Sequence, residues 1–156
     1  MRWKLVTWIT LFATSLSHIL VRKREQYYHF YEYSKMSAGS LGKSYYEYLK
    51  THKIPYKPNL IRHDLKHVLL GYEMNMSDEL RIHAFLLGNR SYNPMAITYL
   101  IICAAIVPET ITKLRKDFKR GRQSTCLKKI NLQAYVHQNL FKCRQHFKIS
   151  SLNSTI

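Results

Sequence analysis

The chain has 156 residues, with 25 Lys and Arg against 9 Asp and Glu and a formal charge of +16. That length fits one domain with its own core, and the charge points to polyanions such as anionic lipid headgroups. Nucleic acid is the other polyanion, but with no recognisable module that reading rests on charge alone, and no specific nucleic-acid partner is expected. Three scattered cysteines, Cys103, Cys126 and Cys143, argue against a disulfide framework or a Cys-based zinc site and read as free thiols. Only 5 Gly and 4 Pro occur, and strand-like alternation is rare. The expectation is an all-α, single-domain helical bundle preceded by an apolar or amphipathic N-terminal helix.

The first predicted element is LVTWITLFATSLSHILV, Leu5 to Val21, which has no formally charged residue and is followed by Arg22, Lys23 and Arg24. Its length is at the short limit for spanning a bilayer. Thr7, Thr10, Thr14, Ser17 and His18 form a weakly polar stripe, which suits a helix lying in the interface. A single-span anchor stays open, with positive charge on both flanks leaving its orientation undecided. A polar, aromatic linker completes residues 1–35 as a membrane-interacting unit. Residues 36–150 form the predicted domain and 151–156 a tail.

SAGSLGKSYYEYLKTHKI begins as a Ser/Gly turn and runs into a helix, with Leu41, Tyr45, Tyr48 and Leu49 on one stripe. PYKPN breaks it. A second helix runs from about Leu60 to Leu70 and stops at Gly71. Ser77 can cap a third, from Asp78 to Leu87. Asn93 and Pro94 open a fourth, whose body MAITYLIICAAIV is apolar all round and reads as a central core helix. Beyond Pro108, ETITKLRKDFKRG places Ile111, Leu114 and Phe118 on one face. From Lys113 to Lys129 there are eight basic residues and one acid, Asp117. An apolar stripe within a basic run suits an interfacial helix, so Lys113, Arg115, Lys116, Lys119, Arg120 and Arg122 are candidate lipid- or membrane-binding residues. Leu127 to Ile149 reads as one more helix, with Leu132, Val136, Leu140 and Phe147 in register.

The chemistry concentrates in RHDLKHVLLGYEMNMSDEL, residues 62–80. His63 and His67 are four apart and share one helix face, so both imidazoles can reach one cation. Glu79 sits among Leu80, Ile82, Leu86 and Leu87, and a carboxylate aimed at a core is costly unless paired or metal-bound. His63, Asp64, His67 and Glu79 therefore form the candidate metal set. Zinc suits two imidazoles and one or two carboxylates, ahead of iron or manganese. Asp64 either ligates, closing the site, or orients a histidine from outside and leaves a fourth position open. Glu73, Asp78 and His83 stay outside the set, Asp78 as a first-turn acid that complements the helix dipole.

The same residues carry a resemblance. His63-Asp64-x-x-His67 followed after eleven residues by Glu79 is similar to the signature of the Coq-four family of coenzyme Q (ubiquinone) biosynthesis proteins. GSLGKSYYEYL, HVLLGY, FKRGRQS and LFKCRQHFKI extend the likeness over about Met36 to Ile149. It implies an all-helical, membrane-associated protein with zinc on His63, Asp64, His67 and Glu79 and an apolar groove for a prenylated quinone precursor or fatty chain. It also implies a scaffold among other quinone-biosynthesis proteins, self-association into a homo-oligomer, and oxidative decarboxylation of the ring. A bacterial relative would face the cytoplasm from the membrane, and a eukaryotic one would belong to the mitochondrial inner membrane. The chain is short for that family and has NLQAYVHQ where a tryptophan-rich acidic segment is often found.

Three other readings compete. A zinc peptidase needs H-E-x-x-H, and Asp64 is one methylene too short for that general base. A metal-dependent His-Asp phosphohydrolase would recruit His52 and Asp117. A non-catalytic lipid-binding scaffold would hold structural zinc.

Overall fold

The computed structural model describes residues 30–152, together with Lys4 and Thr7. The predicted helix Leu5 to Val21 and the start of the aromatic linker otherwise lie outside the described residues. Six α-helices are assigned within residues 41–146: α1 (Leu41–Thr51), α2 (Ile61–Leu70), α3 (Met76–Gly88), α4 (Pro94–Ile106), α5 (Ile111–Gln123) and α6 (Leu140–His146). Short 3-10 turns cover Pro58–Leu60, Pro108–Thr110 and Leu132–Tyr135. No strand forms among the described residues; one antiparallel bridge joins Ser40 and Asn139. The protein is an all-α single-domain bundle.

Local chemistry sets most boundaries. Ser40, Asn75, Asn93 and Asn139 each accept a backbone N–H of the first turn of α1, α3, α4 and α6, satisfying donors that a helix start leaves orphaned. The cap of α3 is thus Asn75 and not Ser77. An asparagine two residues upstream reaches the Asp78 N–H, and the helix starts two residues before the predicted Asp78. Gly71 closes α2 with φ of 79°, a left-handed conformation that glycine adopts without a Cβ penalty. Gly71 and Tyr72 both donate to the His67 carbonyl, so the chain reverses tightly and lays α3 against α2.

Two cores result. The larger gathers Tyr45 and Leu49 of α1, Leu65 and Leu69 of α2, Phe85 of α3, and Leu132, Val136 and Phe147. Burying each leucine fully contributes about 2 kcal/mol. The smaller gathers Leu80 and Ala84 of α3, Leu100 and Cys103 of α4, Val107, and Leu114 of α5. The central helix is therefore α3, which supplies both cores.

This corrects the expectation for α4. Only Leu100 and Cys103 of that helix are buried, whereas Met95 is 80% and Ile101 63% exposed. α3 and α5 cover one side of α4, and nothing in the described chain covers the other. The tail is a second correction. Leu132, Val136 and Phe147 are buried as expected, but not on one helix. Backbone bonds from Leu41 and Gly42 to the Gln138 and Val136 carbonyls, and from Leu140 to the Gly39 carbonyl, hold the chain open between the Leu132 turn and α6. These bonds compete with an unbroken helix there.

Candidate metal centre

α2 and α3 bring the histidines and the glutamate together at the seam between the two cores. His63 and His67, one turn apart, approach Nε2 to Nε2 at 3.0 Å. Glu79 comes from the first turn of α3, with Oε2 at 3.1 Å from His67 Nε2 and Oε1 at 3.2 Å from His63 Nε2. His67 is 1% exposed and the Glu79 side chain 17%. These three residues form a group that could hold a metal ion, their donor atoms all lying within 4.8 Å of one another.

The donor set fits an ion. A tetrahedral zinc with nitrogens and oxygens at 2.0–2.1 Å would space its ligand atoms roughly 3.3 Å apart, close to the separations seen. Without an ion the contacts are hard to satisfy. A carboxylate only accepts, and each neutral imidazole has one donor and one acceptor nitrogen. His67 Nε2 touches both His63 Nε2 and Glu79 Oε2 and carries at most one proton. A cation among the three atoms would meet every lone pair at once.

Asp64, placed in the candidate set, is not in this group. One residue past His63 turns it about 100° around the helix, toward α1, where it is buried and accepts a hydrogen bond from the Tyr45 hydroxyl at 3.1 Å. Burial holds the Asp64 carboxyl above its ordinary value, with the nearby His63 charge opposing the shift. Desolvation and the adjacent Asp64 raise Tyr45 still further, and it remains the proton donor of the pair. Asp64 does line the same cavity as the metal group. That pocket, about 150 Å³, is bounded by His63, His67 and Glu79 together with Lys57, Leu60, Met74 and Met76. An ion held by the three donors would have room on this side for a further ligand.

Charges within the group are coupled. Burial opposes ionisation of Glu79, but the hydrogen bonds from His63, His67 and His83 overcome it and hold the carboxyl well below its usual range. Burial likewise opposes protonation of His63, and the Glu79 carboxylate reverses that, raising the imidazole. The two partners act in opposite pH directions. His63 is raised above its unfolded value near 6.5, so its contribution is full below that pH and fades as pH rises through the folded value. Glu79 is depressed, so its contribution is present above about 4.5 and fades as pH falls through its lowered value. The contribution of this pair to the stability of the metal-free protein should therefore be largest between about pH 4.5 and 6.5. Uptake of a divalent cation by this group would expel the His63 proton, so affinity for such an ion should rise with pH through the His63 titration. Calorimetry in buffers of different ionisation enthalpy should show proton release below that titration and little above it.

The other candidates are distributed elsewhere. Lys113, Arg115, Lys116, Lys119 and Arg122 are exposed along α5. Arg120, grouped with them as a lipid contact, is a correction. It is 2% exposed and lies over the rings of Tyr72 and Phe85, donating to the carbonyls of Leu70 and Ser150 at 2.7 and 2.9 Å. Asp117 is buried too, accepting from Tyr72 and from Arg81 at 2.8 Å. His52 stacks on Tyr48 and faces Glu73. Neither residue of the phosphohydrolase reading joins the metal group.

Two further features adjoin the group. His83, set outside the candidate ligands, lies one turn after Glu79 on α3 and places Nε2 3.3 Å from Glu79 Oε1. An apolar cavity of about 350 Å³ lies between α3, α4 and α5, lined by Ala84, Leu87, Leu100, Ile101, Ala104 and Phe118, with Arg115 as its one charged wall. Comparison with protein-family models and with curated proteins finds no match to the chain.

Proposed function

We propose that the protein is a zinc-binding helical protein of the Coq-four type, with His63, His67 and Glu79 as ligands, that binds a prenylated quinone precursor or related lipid at a membrane surface. The convergence of three ligand-type side chains, with contacts of 3.0–3.2 Å between them, beside a pocket carries this reading. The HD-x-x-H…E pattern and the cavity behind α4 support it. Zinc at this position would supply Lewis acidity toward a polar ring substituent. The chain's own contribution is to orient two imidazoles from one rigid helix and to keep the Glu79 carboxylate ionised. A prenyl or acyl tail would lie along the apolar walls supplied by Leu87, Leu100 and Ile101. The pocket at the metal group favours an open coordination position over a closed structural one. The activity this would support is decarboxylation of the ring, alone or with other quinone-biosynthesis proteins; hydroxylation would need an external oxidant such as dioxygen and a redox-active partner, since zinc itself is redox-inert.

Membrane association is part of the proposal. No single helix among the described residues is long and apolar enough to cross a bilayer, though α4 joined to the Pro108–Gln123 segment, bent by 109°, contains a stretch of sufficient length and apolarity. Met95, Ile101, Ile102 and Phe118 are exposed, near the cations of α5. Deleting Met1 to Arg24 should leave binding to anionic vesicles that weakens as salt rises, since headgroup attraction is screened. Sedimentation with such vesicles at rising salt checks this, and salt-insensitive binding would count against it.

The deciding experiment is metal content. Purified protein should carry close to one zinc per chain, and the double variant His63→Ala, His67→Ala should carry none. Protein that stays free of divalent metal after reconstitution would sink the reading. Glu79→Gln separates the forms of the function. In a catalytic site, host quinone falls and a ring-carboxylated or undermodified precursor accumulates. With structural zinc, folded protein is lost without a specific precursor.

A further inference from the structure

We propose that His83 is a positioning residue of the metal centre: it holds the Glu79 carboxylate in the orientation that serves His63 and His67, and it is itself held by Tyr99 of α4. The inference rests on the metal reading above.

A glutamate at the start of a helix has a carboxylate that swings about its last torsion. Here both oxygens are committed. Oε2 faces His67, while Oε1 lies between His63 at 3.2 Å and His83 at 3.3 Å. His83 is not among the residues whose donor atoms all fall within 4.8 Å of one another, so it does not sit in the position of a further ligand. It approaches the ligand and not the site of the ion. Ligating groups are commonly fixed by such an outer hydrogen bond, whose removal costs roughly 10–100-fold in metal affinity.

The surroundings of His83 fix its ring. It is on α3 one turn from Glu79, with its side chain four-fifths buried. The Tyr99 ring meets it edge-on at 5.2 Å and 68°. Nδ1 is buried with no hydrogen-bond partner among the described residues. That arrangement suits the tautomer with its proton on Nε2, where it donates to Glu79 Oε1 and leaves Nδ1 as a bare acceptor. The imidazole acts as a bracket between a metal ligand and α4, the wall of the apolar cavity.

Cobalt(II) binding tests this, because its visible spectrum reports ligand geometry as well as occupancy. His83→Leu keeps volume and removes the donor; His83→Gln restores an N–H of similar reach. We expect cobalt affinity to fall roughly 10–100-fold in His83→Leu, with altered visible bands in the cobalt-loaded protein. His83→Gln should recover most of the affinity and the wild-type spectrum. Should His83→Leu fail to fold, His83→Asn, too short to reach Glu79, makes the same comparison. Wild-type affinity and spectrum in the donor-less variant would overturn the positioning role alone. Equal impairment of the Leu and Gln variants would overturn it too, since packing or direct ligation would then explain the loss. Wild-type protein that takes up no cobalt would overturn the metal reading and this one with it.

Discussion

Replacing Gly121 by alanine should cost about 3 kcal/mol or more of stability, and Gly88→Ala should do the same. α3 and α5 cross backbone to backbone at these two glycines. A Cβ at Gly121 would land on the carbonyl of Phe85, and one at Gly88 on the carbonyl of Phe118. Neither obstacle is a flexible side chain, so the helices themselves must separate. Alanine is the better helix former by about 1 kcal/mol, which works against the predicted sign. Overpacking of a tight contact typically costs 1–3 kcal/mol, occasionally more, and here it also breaks the Asn89 hub. Asn89 donates to the Gly121 and Thr125 carbonyls and accepts from the Leu127 N–H. Urea denaturation should show a lower midpoint for both variants. An unchanged or raised midpoint would mean that propensity outweighs the crossing.

The second large effect separates two neighbours in one basic run. Arg120→Ala should destabilise by about 3 kcal/mol, lowering Tm by roughly 6–12 °C for a chain of this size. The Arg120 guanidinium lies between two aromatic rings and holds carbonyls at the end of α2 and in the C-terminal segment. Its removal strands a buried carbonyl and leaves a cavity. Arg122→Ala, on the exposed face, should change Tm little and reduce only vesicle binding. Differential scanning calorimetry on both variants decides it; a stable Arg120→Ala protein would return that residue to the lipid-binding set.

The burial of Arg120 is only partly written in its local sequence. Leu114, Asp117, Arg120 and Gly121 occupy the buried face of α5, and their spacing of three, six and seven residues is visible in the sequence. A charge in a basic run reads as solvated because burying an unpaired charge is prohibitive. The partners that make burial tolerable here, Arg81 and Tyr72 for Asp117 and the α2 terminus for Arg120, come from 30 to 50 positions away. No local pattern announces them. The metal group was legible for the opposite reason. His63 and His67 are fixed by one helical turn, and Glu79 is brought back by a short loop after a glycine stop. Asp64 was legible as a neighbour but not in direction, because only the position of Tyr45 decides which way it is satisfied. The helix starts at Asn93 and the stop at Gly71 follow from side-chain and backbone chemistry of one or two residues. Whether α4 lies inside or at the edge depends on how many helices surround it, and an all-apolar helix carries no facial information about that.

The backbone pairing of residues 39–42 with residues 136–140 bears on the order in which the fold assembles. The first turn of α1 finds acceptors on a segment almost a hundred positions later, and Arg144 joins it by donating to the Val68 and Leu69 carbonyls of α2. A nascent chain emerging from the ribosome can form α1 and α2 but cannot satisfy these groups until α6 has been synthesised. Closing so distant a contact is slow compared with forming the helices. During that interval the apolar stripes of α1 and α2 are uncovered, and such surface is prone to aggregation. Chains released with their last twenty residues missing should accumulate in the insoluble fraction, although all three residues of the candidate metal group are present in them.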